Sequence, residues 1–234
     1  MNNLTAKNFI KELNSHREDD SNQKKSEFIE DDGNLTKTIG VRMKTVFDTA
    51  KKYSNMQIEE ISKLLDSELY EARLGAVSIM DFQTRNKKIT SDERKALFDL
   101  YISKHDRINN WGLVDRSAPR VIGWYLQDKP RDVLYKLAKS TAQSERRTAI
   151  VAPLWFITRH SEVDDAIKIA EILVNDKEKL INTALGSTLR YIGVANKEAL
   201  EKFLDRHHKN MPKVTLRLAT RKQTELKNKY TKTS

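Results

Sequence analysis

The chain contains 234 residues, of which 38% are hydrophobic and 32% are charged. It lacks cysteine, so disulfides, thiolate nucleophiles and cysteine-bound metal centres are excluded. Its 43 basic and 33 acidic residues give a net charge of +10, which favours a polyanionic partner, most often nucleic acid. The alternative explanation is a solvated, lysine-rich surface without such a partner.

The composition favours a single kind of secondary structure. Seven glycines and four prolines are too few for a turn-rich β architecture, and no segment sustains a two-residue alternation. No apolar run approaches the roughly 18 residues of a membrane span. The first 15 residues lack the apolar core of a signal peptide. These features predict an all-α, soluble, cytoplasmic protein.

Helices are predicted along most of the chain because apolar residues recur at steps of three and four. The first covers residues 4–15 and is followed by a charged segment, 17–33, which we expect to be a mobile link. Asn55 is the predicted N-cap of a helix at 58–65. The other predicted helices cover 41–53, 69–82, a segment from Ser91, 109–125, 132–138, 144–158, 164–173, 178–192, 197–203 and 212–227.

The second helices of successive pairs share a pattern, in which a polar or basic residue precedes a small and apolar run. The pattern starts at Glu71, Asp115, Glu145, Asn182 and Lys213. The starts are 44, 30, 37 and 31 residues apart, which brackets the period of two-helix HEAT and armadillo repeats. We therefore predict an α-solenoid of HEAT/ARM-like helical repeats with a concave basic groove lined by the second helices. It forms one domain, 34–230, after an N-terminal segment, 1–33.

Charged residues interrupt the apolar stripes of two neighbouring second helices. In the helix at 109–125, Trp111 and Asp115 fall one turn apart on the face of the predicted core. In the next second helix, Arg147 shares a face with apolar residues such as Ile150. Such interruptions tend to mark functional sites, although Asp115 and Arg147 could equally form a buried structural salt bridge. Trp111 could likewise be an ordinary core residue.

The last predicted helix carries a basic ridge, formed by Lys213, Arg217 and Arg221 at steps of four. Residues 206–229 contain eight Lys or Arg against one Glu. The basic ridge predicts a contact with phosphates, and its alternative explanation is the solvated face of a capping repeat. The chain shows no Gly-rich phosphate loop, zinc-protease helix or serine elbow. We therefore expect no metal and no cofactor.

Three short motifs occur in an order and spacing that resemble those of a known family. They are Trp-x-x-x-Asp at 111–115 followed by Pro119 and Gly123, Arg-x-Ala-Ile at 147–150, and Ala-Leu-Gly-x-x-Leu-Arg at 184–190. Over residues 41–222 the chain resembles the HEAT-like-repeat alkylpurine DNA glycosylases of the AlkD type. The resemblance implies excision of N3- or N7-alkylated purines from duplex DNA that is held through its backbone.

The resemblance also implies roles for individual residues. Asp115 would be the active-site carboxylate, Trp111 its aromatic neighbour against the sugar–phosphate, and Arg147 a DNA contact beside the lesion. We expect the basic ridge to bind phosphates of the same duplex. The implied partner is alkylated double-stranded DNA, bound by a monomer that needs no membrane and no metal.

Two positions depart from the family pattern. Ser187 stands where the family carries a second aromatic residue, and Gly112 stands where an acidic residue often follows the tryptophan. One wall of the aromatic cleft is therefore missing. This departure keeps two alternatives open, which are a non-catalytic HEAT-repeat module that binds DNA and a scaffold whose groove holds an acidic peptide.

Overall fold

The computed structural model describes residues 4–17, 28–31 and 34–231. The regular structure of these residues is helical apart from one short hairpin, which confirms the predicted all-α class. The chain divides into two compact units, Met1–Val121 and Ile122–Ser234. Within the described ranges, no helix has both the length and the apolar character that a membrane crossing requires.

The helices of the first unit are α1 (Ala6–Ser15), α2 (Met43–Lys52), α3 (Ile58–Leu65), α4 (Tyr70–Thr84), α5 (Ser91–Ser103) and α6 (Trp111–Ala118). Helix α4 is the centre of this unit, because it packs against α2, α3 and α6 and twelve of its 15 residues are buried. Gly75 lets Phe9 of α1 lie against α4, since a Cβ at residue 75 would be 2.3 Å from the ring carbon Cζ. The predicted N-cap Asn55 is wrong, because Gln57 holds that position and makes no side-chain capping bond.

A two-stranded hairpin corrects the prediction of a link without structure. Strand β1 (Phe28–Asp31) pairs antiparallel with β2 (Asn34–Lys37). The chain after β2 is anchored on α4, where the Glu71 carboxylate accepts the backbone N–H groups of Ile39 and Gly40 at 2.8 Å each. Strands of four residues are too short for an alternation to be visible in the sequence. The rest of the predicted link, 18–27 and 32–33, lies outside the described residues, and the predicted domain boundary after residue 33 remains a prediction.

The helices of the second unit are α7 (Asp132–Ala138), α8 (Gln143–Val151), α9 (Leu154–His160), α10 (Asp164–Leu173), α11 (Lys179–Ala195), α12 (Lys197–His207), α13 (Lys213–Ala219) and α14 (Thr224–Thr231). Helix α11 is the centre of this unit and packs against α8, α9, α10, α12 and α13. Gly186 allows a close contact between α11 and α13. A Cβ at this residue would lie 2.7 Å from the backbone oxygen of Thr215 on α13.

Two predicted helices are each divided in the structure. The helix predicted at 144–158 breaks into α8 and α9 at Pro153, which has no N–H and whose ring clashes with the preceding turn of a helix. The helix predicted at 212–227 breaks into α13 and α14. Between them, the side-chain amide of Gln223 donates to the Gly193 carbonyl oxygen at 2.6 Å and holds the turn against α11.

Second helices pack side by side within each unit. Helix α4 contacts α6 in the first unit, and α11 contacts α8 and α13 in the second. This layering is typical of two-helix repeats, in which each unit buries one face on the next. The basic groove that the repeat pattern predicts remains a prediction.

Candidate active site and nucleic-acid interface

Trp111 and Asp115 lie one turn apart on an exposed face of α6. The helix begins at Trp111 because the Asn110 side chain accepts the N–H of Gly112 at 2.6 Å. Trp111 is 51% exposed, and Asp115 is exposed as well. The residues that α6 buries against the core are Leu113, Val114, Ser117 and Ala118.

This placement corrects the apolar periodicity, which taken alone put both residues on the core side of the helix. The buried side of α6 extends toward Leu113 and Ser117, so Trp111 and Asp115 fall at its solvent edge. One alternative explanation is excluded as a result, because Trp111 is not a core residue.

The helix changes form directly after this pair. Pro119 has no N–H, so it cannot donate the helical hydrogen bond to the carbonyl oxygen of Asp115. The chain continues as a π-helical turn, Pro119–Trp124, in place of the α-helix that we predicted to reach residue 125. Insertions of π-helix are frequent at functional sites.

Arg116 fixes the rotation of α6 on α4. Its guanidinium donates to Ser78 Oγ at 3.1 Å and to an Asp81 carboxylate oxygen at 2.5 Å. The Cζ atom of Arg116 also lies 5.0 Å from the ring centres of two phenylalanines, Phe47 and Phe82. Because Arg116 is anchored toward α4, the preceding residue, Asp115, is held facing solvent.

Tyr70 is a residue of this site that the sequence analysis missed. A Cβ at Gly112 would lie 2.8 Å from the Tyr70 hydroxyl oxygen, so this hydroxyl fills the space that a side chain at 112 would need. Gly112 and Asp115 are three residues apart and share a face of α6. The hydroxyl therefore lies beside the face that carries the carboxylate. The sequence could have indicated Tyr70 only by its position, because it is the first residue of α4, just as Trp111 is the first residue of α6.

Arg147 lies on α8 in the second unit and is buried, which confirms its predicted place on the apolar side of the helix. Its Nη1 donates to the Leu180 carbonyl oxygen at 2.6 Å. This bond joins α8 to the first turn of α11. Arg147 therefore stabilises the packing of two second helices, and its contact with DNA remains a prediction.

The basic ridge is shorter than the sequence predicts, because α13 ends at Ala219. Lys213 and Arg217 lie one turn apart on α13, whereas Arg221 lies in the turn that follows. All three side chains are exposed. Within the part of the chain that the structure describes, none of them pairs with a carboxylate, so their charge is available to an external anion.

Ser187 is half-buried on α11, and the second unit carries its tryptophans elsewhere. Trp124 and Trp155 stack with ring centres 4.6 Å apart and planes inclined by 15°. The Arg159 guanidinium lies 5.3 Å from the centre of the Trp155 ring. Both rings are half-buried, and the sequence analysis did not identify this stack.

The exposed pair on α6 is part of an open surface. A cleft of about 490 Å³ lies elsewhere in the first unit and is lined by residues that include Met56, Phe82, Gln83, Glu93 and Leu97. Trp111 and Asp115 do not line this cleft. Among the described residues, no three His, Asp or Glu side chains gather as ligands for a metal ion. The Trp111–Asp115 pair therefore lies on an open surface and not in this cleft.

Comparisons with known proteins agree with this description. The chain matches the model of a family described as "DNA alkylation repair enzyme" over residues 9–223. Its fold is similar to that of a solved structure described as a predicted DNA alkylation repair enzyme from Enterococcus faecalis, with a TM-score of 0.61 and 14% sequence identity. The similarity covers 81% of this chain and 90% of that one. A comparison with curated protein sequences gives no match.

Proposed function

The chain belongs to the DNA alkylation repair enzyme family, and on this premise we propose that it is a glycosylase for N3- and N7-alkylated purines in duplex DNA. The observation that carries the proposal is an aromatic ring and a carboxylate one turn apart on an exposed helical face. The partner is alkylated double-stranded DNA, and the protein acts as a monomer without a metal or a cofactor.

The chemistry of the substrate reduces what the site must supply. A purine alkylated at N7 or N3 carries a positive charge and leaves as a neutral base, so it needs no general acid. The second carboxylate of other enzymes that break glycosidic bonds is therefore unnecessary. When the bond from C1′ to the purine nitrogen breaks, its electron pair passes to the base and positive charge develops on the sugar.

Asp115 stabilises the charge on the sugar. A single ionised carboxylate near C1′ lowers the energy of the cationic transition state and orients a water molecule. The oxygen of this water then bonds to C1′, and its proton passes to the carboxylate or to solvent. Because Asp115 is exposed on α6, a sugar in a duplex can approach it without entering a closed pocket.

Trp111 supplies the aromatic face. Contacts between a cation and an aromatic ring contribute about 0.5–2 kcal/mol, and both the alkylated base and the developing sugar cation carry the required charge. With half of its surface exposed, the indole is accessible to either of them. In this proposal Asp115 provides a contact between opposite charges, and Trp111 provides a contact between a cation and an aromatic ring.

Basic residues of the second unit bind the DNA backbone in this proposal. Lys213, Arg217 and Arg221 bind phosphates directly, which orients the duplex without reading its sequence. Arg147 also bonds to the Leu180 carbonyl oxygen. We assign it a contact with a phosphate beside the lesion, the role that the family resemblance implies for it.

Release of 7-methylguanine from methylated duplex DNA tests the proposal. Asp115→Asn keeps the shape of the side chain and removes its charge, so we expect the rate of release to fall by about 100-fold or more while DNA affinity is kept. Asp92→Asn, an exposed position in the first turn of α5, is the matched control and should retain the wild-type rate. Release by Asp115→Asn at the wild-type rate would show that this carboxylate is not the catalytic group.

A non-catalytic DNA-binding protein of the same fold is the second candidate, and Ser187 is the observation that favours it. With Ser187 in place of an aromatic residue, the site has one wall fewer to hold the base. This candidate predicts duplex binding that weakens steeply with salt, together with no base release by the wild type. A third candidate, a scaffold for an acidic peptide, predicts no affinity for duplex DNA.

A further inference from the structure

Three arginines surround one buried carboxylate in the first unit. The Asp81 side chain is fully buried, and its Oδ2 accepts Arg85 Nη2 and Arg116 Nη1 at 2.5 Å each. Its Oδ1 accepts Arg120 Nη1 at 3.3 Å. We refer to Asp81, Arg85, Arg116 and Arg120 as the Asp81 cluster.

The Asp81 cluster carries more positive charge than its carboxylate neutralises. Three guanidiniums and one carboxylate leave an excess of two positive charges. Within the part of the chain that the structure describes, Asp81 is the carboxylate that pairs with each of the three arginines. Burial lowers the pKa of Arg116, Asp81 opposes this shift, and the charges of Arg85 and Arg120 lower the pKa further. The arginines therefore repel one another, and an additional anion would relieve that repulsion.

The excess charge faces solvent. The side chain of Arg116 is only 17% exposed and is held by Ser78 and the two phenylalanine rings. Those of Arg85 and Arg120 are 42% and 32% exposed. Each uses one amino group on Asp81 and keeps further N–H donors for an external partner. Asp81 thus holds two guanidiniums in place before any ligand arrives, which reduces the entropy lost on binding.

We propose that the Asp81 cluster binds a phosphate of the DNA backbone next to the Trp111–Asp115 pair, with Arg85 and Arg120 as the ligating residues. Arginine suits this role because its planar donors match two phosphate oxygens at once. Arg116 directly follows Asp115, and Arg120 lies one turn further along the chain. A phosphate bound here would therefore position the sugar of the damaged nucleotide. This assignment rests on the proposed function and adds a backbone contact in the first unit.

Equilibrium binding of an alkylated duplex tests the assignment through Arg85→Gln and Arg120→Gln. Each variant removes one charged hydrogen-bonding group, so we expect affinity to fall by about tenfold. The slope of log affinity against log salt should fall by about one. Lys7→Gln, on an exposed position of α1 without a carboxylate partner among the described residues, makes the same change in net charge and should alter both quantities less. If the arginine variants lose no more affinity for the duplex than Lys7→Gln does, the assignment is overturned.

A neutral methylphosphonate, placed in turn at each backbone position around the lesion, identifies the bound phosphate. At one position the substitution should weaken binding by the wild type but not by the double variant Arg85→Gln/Arg120→Gln, because both changes remove the same contact. Additive losses at every position would contradict the assignment. Thermal unfolding checks that the variants are folded.

The two proposals fail in different ways. If the wild type binds duplex DNA and releases 7-methylguanine but the arginine variants match Lys7→Gln, only the phosphate contact is wrong. If the wild type binds duplex without base release, glycosylase activity is wrong, while the methylphosphonate experiment still decides the phosphate contact. If the wild type has no affinity for duplex DNA, both proposals are wrong.

Discussion

Each unit contains an arginine stacked on phenylalanine and bonded to carboxylate, but the two clusters differ in charge. In the second unit, Arg131 lies 3.8 Å from the ring centre of Phe156 and pairs with Glu162 at 2.8 Å and Asp165 at 2.7 Å. One cation meets two anions there, and we refer to these residues as the Arg131 cluster. In the Asp81 cluster, three cations meet one anion.

The pKa values of the two central arginines shift in opposite directions. Burial lowers the pKa of Arg131, but hydrogen bonds to Glu162 and Asp165 outweigh it and the pKa is raised. Burial also lowers the pKa of Arg116, and there the attraction of Asp81 is opposed by neighbouring arginines, so the pKa stays lowered. The two arginines therefore differ in the charge around them, because two carboxylates compensate Arg131 whereas Arg116 lies in a cluster with excess positive charge.

Asp81→Ala is the variant from which we expect the largest change in the free energy of unfolding. It leaves three guanidiniums without their shared anion, one of them largely buried, and we expect the free energy of unfolding to fall by about 3–5 kcal/mol. The measurement is urea unfolding at neutral pH and moderate ionic strength. Loss of the Asp81 carboxylate should also disturb α6, because Arg116 fixes that helix through it.

Asp165→Ala is the matched variant in the second unit. Arg131 then keeps Glu162 as its partner, so we expect the smaller loss of about 1.5–3 kcal/mol that removal of a charged hydrogen bond produces. The two clusters would be shown to be energetically alike if both variants lost the same amount. In that case the excess charge of the Asp81 cluster would have no structural consequence.

Sequence periodicity predicted most of the helices, and it failed where the deciding contacts are distant along the chain. Apolar steps gave α7 and α10 at their observed bounds. They placed Trp111 and Asp115 on the core side of α6, because apolar residues flank the pair in both directions and the packing partner, α4, decides which side is buried. The partners in the Asp81 cluster are up to 39 residues apart, and no local pattern connects them.

The positions where helices break, and the roles of single residues such as Gly112, were only partly predictable from the sequence. Pro119 and Pro153 are visible in the sequence, yet proline alone does not distinguish a π-helical turn from the end of a helix. The role of Gly112 depends on the Tyr70 hydroxyl, which comes from another helix. The charge of the basic ridge was evident, whereas its division between α13 and a turn was not.

Acid unfolding tests the Arg131 cluster through the ionisation of Asp165. Burial raises the pKa of Asp165, but hydrogen bonds from Tyr135 and Arg131 outweigh it, so the pKa in the folded protein lies below the ordinary value of 3.8. A depressed carboxyl pKa contributes stability that is complete above the pKa of the unfolded chain and is lost as the pH falls through the pKa of the folded protein. We therefore expect the wild type to lose this contribution below pH 3.8.

Asp165→Asn removes the ionisation and provides the control for acid unfolding. The free energy of unfolding of this variant should depend less on pH in the acid range than that of the wild type, although it is lower at neutral pH. Urea unfolding at a series of pH values measures the difference. Parallel curves for the two proteins would mean that the bonds to Asp165 do not perturb its ionisation.

The smallest expected effect is stabilisation by inorganic phosphate, and it tests directly whether the Asp81 cluster attracts an anion. A ligand that binds only the folded protein stabilises it by mass action, by about 1.4 kcal/mol at ten times its dissociation constant. Phosphate should therefore raise the Tm of the wild type above its value in chloride at the same ionic strength. Arg85→Gln/Arg120→Gln should lose most of this increase, whereas Asp115→Asn should keep it. Phosphate is also excluded from protein surfaces and stabilises folded proteins in that way, but this contribution is common to all variants. An equal increase in the wild type and the double arginine variant would therefore mean that the cluster attracts no anion and, like the Arg131 cluster, serves only the fold.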